Sequence, residues 1–144
     1  MNANAQDRPA PKRSMVAELE ATKKSFPQGT VPSFRLKLKN TGKEAEKVLK
    51  LRGDLQDAYY DLEVTQNGKP VSVPRAISDP GPTSDADYLT LKPGEVVTFE
   101  LTKFASMWEV LPVGAYSATV RVWLPGQAID KSYSSSSAMF EFAK

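Results

Sequence analysis

From residue 15 onward, apolar and polar positions alternate almost everywhere with period two. Ala17, Leu19 and Ala21 alternate with Glu18, Glu20 and Thr22, which predicts a first strand. Phe26-Pro27-Gln28-Gly29 breaks the pattern. Phe34, Leu36 and Leu38 then alternate with Arg35, Lys37 and Lys39. This is the signature of a half-buried antiparallel strand, apolar inward and basic outward. Asn40-Thr41-Gly42 supplies a turn, and Val48, Leu49 and Leu51 mark a third strand without a fixed register. Tyr60, Leu62 and Val64 alternate with Tyr59, Asp61 and Glu63. Asn67-Gly68 follows, then Lys69 to Val73; Asn-Gly between two such runs predicts a type I′ hairpin, whose central residues both need positive φ.

Residues 74–87 form the longest irregular stretch, with Pro74, Pro80, Pro82 and Gly81 among three aspartates. Tyr88 to Leu91 resumes as a strand, and Lys92-Pro93-Gly94-Glu95 places proline and glycine centrally in a tight turn. Val97, Phe99 and Leu101 share one strand face. Phe104 to Val110 is the one stretch suited to a helical turn, and Leu111-Pro112-Val113-Gly114 ends it. Tyr116, Ala118, Val120, Val122 and Leu124 give the clearest strand, and Tyr133 to Phe142 closes the domain. The run Ser134 to Ser137 belongs to an edge strand or its approach. No helical period separates these strands, so the pattern predicts one all-β domain over residues 15–144. Its expected form is an immunoglobulin-like antiparallel β-sandwich of seven to nine strands. Residues 1–14 are polar and proline-containing and read as a disordered leader.

Three sets of residues carry a family resemblance. They are Leu19 to Phe26 with Phe34 to Gly42, then Leu91-Lys92-Pro93-Gly94-Glu95, then Leu111-Pro112-Val113-Gly114-Ala115-Tyr116. In order and spacing they resemble bacterial immunoglobulin-like domains, the intracellular proteinase inhibitor family and related domains of exported bacterial proteins. The resemblance, carried by strand pattern, covers roughly residues 15–143. It implies a sandwich and, by analogy alone, inhibitor activity. Its motifs are turn chemistry, including a tyrosine placed to hydrogen-bond a corner. None of them maps an inhibitor's reactive site.

Composition narrows the chemistry. The chain of 144 residues has no cysteine and no histidine, which excludes Ser-His-Asp and Cys-His catalysis and a conventional zinc site. We therefore expect no enzyme, no cofactor and no metal. A net charge of +2 builds too weak a field for nucleic acid. No apolar run approaches the roughly 20 residues that span a bilayer. Ala3-Asn4-Ala5-Gln6 has the small-x-small form of a signal-peptidase site without an apolar segment before it. An exported or periplasmic location is expected from it, with the cytoplasm as the alternative.

The candidate binding residues are Pro80, Pro82 and Asp85 in the long loop, Trp108, and the aromatics Tyr59 and Trp123, at outward strand parity. Each has a plainer reading. The loop is a solvated crossing, Trp108 plugs an open end of the core, and Tyr59 and Trp123 pack with neighbours on the sheet. Asp79, Asp85 and Asp87 lack the spacing of a calcium loop. The row Arg35, Lys37 and Lys39 is a solvated face that discourages edge aggregation. Asp61 and Glu63, about 7 Å apart on one strand face, are surface charges. The expected function is non-catalytic binding of another protein by a monomer or weak oligomer. The alternatives are a peptidase inhibitor acting through loops at one end of the sandwich, and a carbohydrate-binding module.

Overall fold

A computed structural model describes residues 15–50, 59–71, 81–101, 111–122 and 133–144. The strands are β1 (Met15–Ala21), β2 (Ser25–Pro27), β3 (Phe34–Asn40), β4 (Glu46–Leu49), β5 (Tyr60–Gln66), β6 (Lys69–Val71), β7 (Tyr88–Leu91), β8 (Val96–Leu101), β9 (Gly114–Val122), β10 (Tyr133–Ser134) and β11 (Ala138–Ala143). Phe34, Leu36 and Leu38 are fully buried while Arg35, Lys37 and Lys39 between them are exposed, as the alternation requires.

Two sheets enclose one core. The first has the order β1-β3-β8, antiparallel throughout. The second has the order β2-β11-β9-β5-β6, with β10 also on β9. A separate pair, β4 with β7, contributes Val48, Leu49 and Leu91 to the same buried cluster. Inward side chains from both sheets meet in that cluster, and the Phe34 ring of β3 stands edge-on to Phe140 of β11 at 5.5 Å. This is a β-sandwich built on antiparallel pairing, the architecture that the period-two pattern predicts.

The structure departs from expectation in three places. Among the described residues eleven strand segments appear where seven to nine strands were expected, because β2, β6 and β10 are pieces of two or three residues beside eight longer strands. Phe26-Pro27, read as a breaker, lies in β2, and β2 pairs in parallel with β11. The chain thus crosses from the first sheet to the second between Ala21 and Ser25, and buries Phe26. Pro27 is tolerated because β2 ends its sheet and ends at that residue. The closing run 133–142 is also divided. Between the pairs Ser134↔Arg121 and Ala138↔Ala118, three residues face two, which makes a bulge.

That bulge is the serine run. Ser135 Oγ accepts from the Val120 N–H at 2.9 Å and donates to the Ser136 carbonyl at 2.8 Å. The Ser136 N–H donates to the Ala17 carbonyl, and its hydroxyl accepts from the Leu19 N–H at 3.2 Å. Serine hydroxyls here satisfy backbone groups that a bulge would otherwise leave unpaired. They also tie the second sheet to the edge of β1.

Asn40 ends β3 and is fully buried. Its Nδ2 donates to the carbonyls of Glu44 and Leu91, both at 2.8 Å, and its Oδ1 accepts from the Gly42 N–H at 2.9 Å. Its backbone joins the turn 92–95, donating to the Glu95 carbonyl and accepting from the Gly94 N–H. The turns at Asn67-Gly68 and Pro93-Gly94 are as expected: φ is +54° at Asn67, +78° at Gly68 and +84° at Gly94. Asn40, through its side chain and its backbone, therefore fastens the turns 41–44 and 92–95 and the β4–β7 pair to the sandwich. Asn40→Ala leaves buried carbonyls without a donor and lowers stability by about 2–3 kcal/mol, read from urea unfolding.

Candidate functional site

One end of the sandwich collects several loops. Ala21, Phe34 and Leu101 mark that end of the first sheet, and Gly114 opposite Phe142 marks it in the second. The connection 22–33, the β5–β6 hairpin and the segment 111–114 therefore stand side by side.

Hydrogen bonds fix each piece. At the base of the first loop the Thr22 N–H donates to the Ser33 carbonyl at 3.0 Å, and the two hydroxyls are 2.5 Å apart. At its tip Pro27 to Thr30 form a turn with φ of +87° at Gly29, and Thr30 donates to the Pro27 carbonyl from both N–H and Oγ1. Gln28 links this loop to its neighbours. Its N–H donates to the Ala143 carbonyl at 2.7 Å, and its Nε2 to the Leu111 carbonyl at 3.1 Å. On the next segment Tyr116, almost fully buried, donates from its hydroxyl to the Pro112 carbonyl at 2.6 Å. This is the tyrosine corner expected from Pro112-Val113-Gly114-Ala115-Tyr116. Gly114 has φ of +152°, and a side chain there would meet Gln66 Nε2 at 2.8 Å, so the corner also abuts the β5–β6 hairpin.

This framework presents two aliphatic side chains to solvent. Val31 is 45% exposed and Val113 is 44% exposed, on loops joined through Gln28 and Leu111. Beneath them Pro32 and Leu111 are buried.

The residues singled out from sequence fall elsewhere. Pro80, Trp108 and Trp123 lie outside the described residues. Pro82 and Asp85 are exposed. Asp85 opens a single 3₁₀ turn, Asp85–Asp87, closed by a reciprocal cap in which the Ser84 N–H donates to Asp87 Oδ2 at 2.9 Å. Asp87 is thereby used as a cap, and Asp79 is outside the described residues. Among the described residues no group of three or more carboxylates could hold a metal ion. Tyr59 precedes the first residue of the β5 ladder, so strand parity does not orient it; it is half-buried against the core. The basic row on β3 is largely compensated by β1: Arg35 pairs with Glu20 at 3.0 Å and Lys37 with Glu18 at 3.6 Å. Glu63 pairs with Arg121 at 3.7 Å on an exposed face. Sequence reasoning passed over Val31 and Val113. The available signal was an aliphatic residue beside turn formers, Gly29-Thr30-Val31-Pro32 and Pro112-Val113-Gly114.

No family model matches the chain, and no curated protein matches it in sequence. Among solved structures it is similar to Spo0M, a sporulation control protein from Bacillus subtilis, with a TM-score of 0.51 and 13% identity. The likeness is one of fold. It covers 91% of this chain, which spans about half of that one, 50%. No helix among the described residues is long and apolar enough to cross a membrane.

The corner has a measurable signature. Burial pushes the Tyr116 hydroxyl pKa up, and a hydrogen bond with the Gln66 side chain pulls weakly against it. The folded protein thus holds this proton to higher pH than the unfolded chain. Its contribution is complete below about pH 10 and is lost as pH rises through the folded value. Tyr116→Phe costs about 1 kcal/mol at neutral pH in urea unfolding, and its stability falls less steeply than the wild type's above about pH 10.

Proposed function

We propose that the domain is a non-catalytic binding module that docks another protein on the loop end bearing Val31 and Val113. The observation that carries this reading is the pair of exposed valines on loops cross-linked by the Gln28–Leu111 hydrogen bond. Two supports lend weight to it. A surface already fixed by backbone and side-chain hydrogen bonds loses little conformational entropy on docking. Apolar side chains set in a polar rim are the usual anchors of a protein interface, and Gln28, Thr30 and Asn67 provide such a rim. The absence of histidine and cysteine from the chain fits a role without catalysis.

Replacing both valines by aspartate removes about 1 kcal/mol of apolar burial per site and introduces an unpaired charge into any interface. In a pull-down from the native organism's extract, the wild type retains a protein partner that Val31→Asp/Val113→Asp does not. Titration with the purified partner then shows affinity weakened at least about tenfold. The unfolding midpoint of the double variant stays near the wild-type value, because both positions are exposed. A partner retained equally by both proteins would refute this site. A retained peptidase whose activity the wild type suppresses and the variant spares would assign inhibition to the same end.

A further inference from the structure

The edges of the two sheets are finished differently. The second sheet ends in β2 and β6, pieces of three residues that each hold a proline, Pro27 and Pro70. The first sheet ends in β1 and β8. On β1 the Ala17 carbonyl and the Leu19 N–H are taken by Ser136. Short strands, prolines and covering loops are the usual protection of an edge against further pairing. β8 has six residues and no proline, and β3 is its one strand partner among the described residues.

The direction of its backbone groups follows from the register. Ala17 and Leu19 turn away from β3, so Val16 and Glu18 turn towards it and meet Lys39 and Lys37. Leu38 and Leu36 then turn to β8, where they meet Val97 and Phe99. The bond from the Asn40 N–H to the Glu95 carbonyl has the same parity. The N–H and carbonyl of Val96 and Thr98 therefore point away from the sheet. Apolar cover is also thinner at this edge. Val97 and Phe99 are half-buried, whereas Leu38 and Leu36 opposite them are fully buried.

On the outer face the register sets residues in three rows across β1, β3 and β8. They are Val16, Lys39 and Val96, then Glu18, Lys37 and Thr98, then Glu20, Arg35 and Glu100. The first row has one base and no acid, with an exposed valine on each side of Lys39. The middle row has one charge of each sign. The last has one base between two acids. Antiparallel pairing of two copies about Thr98 lays the first row of each against the last row of the other, positive against negative. On the inner face it sets Val97 of each copy against Phe99 of the other.

We propose that β8 is a homodimerisation edge, at which two copies of this chain pair antiparallel about a two-fold axis at Thr98 and join their three-stranded sheets into one. Such a contact is isologous, the commonest closed form of association. Backbone hydrogen bonds supply attraction, as in other strand additions, and the rows supply register. A foreign strand meets the same backbone groups, but rows that complement themselves under a two-fold favour a second copy. The axis sends the two loop ends in opposite directions, so the dimer leaves Val31 and Val113 of both copies uncovered. The inference does not depend on the docking reading.

Sedimentation of the full chain tests it. One strand pair buries less than a standard interface, so the dimer is weak and its share rises between roughly 10 μM and 1 mM. Thr98→Pro removes an N–H that points away from β3, and the variant is a folded monomer across that range. Thr98→Lys sets two ammonium groups face to face and weakens association at least about threefold. Thr98→Cys gives the chain its one thiol. Directly paired residues lie about 5.5 Å apart at Cα, within the span of a disulfide, so mild oxidation links the copies. Lys37→Cys, one strand further in on each copy, links at least about tenfold more slowly. Circular dichroism and the unfolding midpoint at low concentration verify that each variant is folded. A wild type still monomeric at about 1 mM overturns the proposal. So does a Thr98→Pro chain that dimerises as the wild type does, or cross-linking at 98 no faster than at 37. Capture of a different protein by a monomeric wild type, lost in Thr98→Pro, would give the edge to that protein instead.

Discussion

The sandwich is held at its loop end by one aromatic contact centre, the ring of Phe140. It stands 5.5 Å from Phe34 across the two sheets, 6.2 Å from Phe26, and 5.6 Å from Phe142, each edge-on. Its fourth neighbour, Tyr116, lies nearly parallel to it at 5.7 Å. Such pairs add to the burial of large apolar area and restrict how rings can slide. Phe140 thus sets the separation of the sheets where the connections 22–33 and 111–114 leave them. Tyr116 carries that constraint outward, since its ring is in the core and its hydroxyl holds the Pro112 carbonyl. The position of Val113 follows from packing several residues away.

Local sequence preferences specified much of this fold. The alternation around Phe34, Leu36 and Leu38 gave both a strand and its buried face. Asn67-Gly68 and Pro93-Gly94 gave turns because few other residues accept their φ values. Tyr116 could be read as a corner because its acceptor is only four residues away. Long-range choices left no such local mark. Phe26-Pro27 has the composition of a break, and becomes a strand because β11, over a hundred residues later, offers it a partner. Asn40 looks like any turn asparagine, yet its amide satisfies a carbonyl on β7. Serines 135 and 136 are ordinary in sequence and gain their role from Val120, Leu19 and Ala17.

The candidate site was less legible for a related reason. Sequence reasoning favours large aromatics and long loops as binding elements, which directed attention to Trp108, Trp123, Tyr59 and residues 74–87. The described structure instead draws attention to two valines that neither pattern nor residue type distinguishes. Their exposure is a property of the turns that lift them, at Gly29 and at the Tyr116 corner. Charge was misleading for the same reason. Arg35, Lys37 and Lys39 form the most conspicuous basic row in the chain, but register sets Glu20 and Glu18 beside two of its members.

The parallel pairing of β2 with β11 bears on how the domain would carry mechanical load. Tension applied between Ser25 and Ala143 pulls these two strands in opposite senses along their axes. Their hydrogen bonds, with the flanking ones from Glu141 to Lys24 and from Gln28 to Ala143, then resist together in shear. Antiparallel terminal strands pulled apart from one end would open bond by bond instead. Rupture under force is governed by the unfolding barrier rather than by equilibrium stability. The short strand β2 would therefore act as a clasp, giving the domain resistance to stretching out of proportion to its three residues.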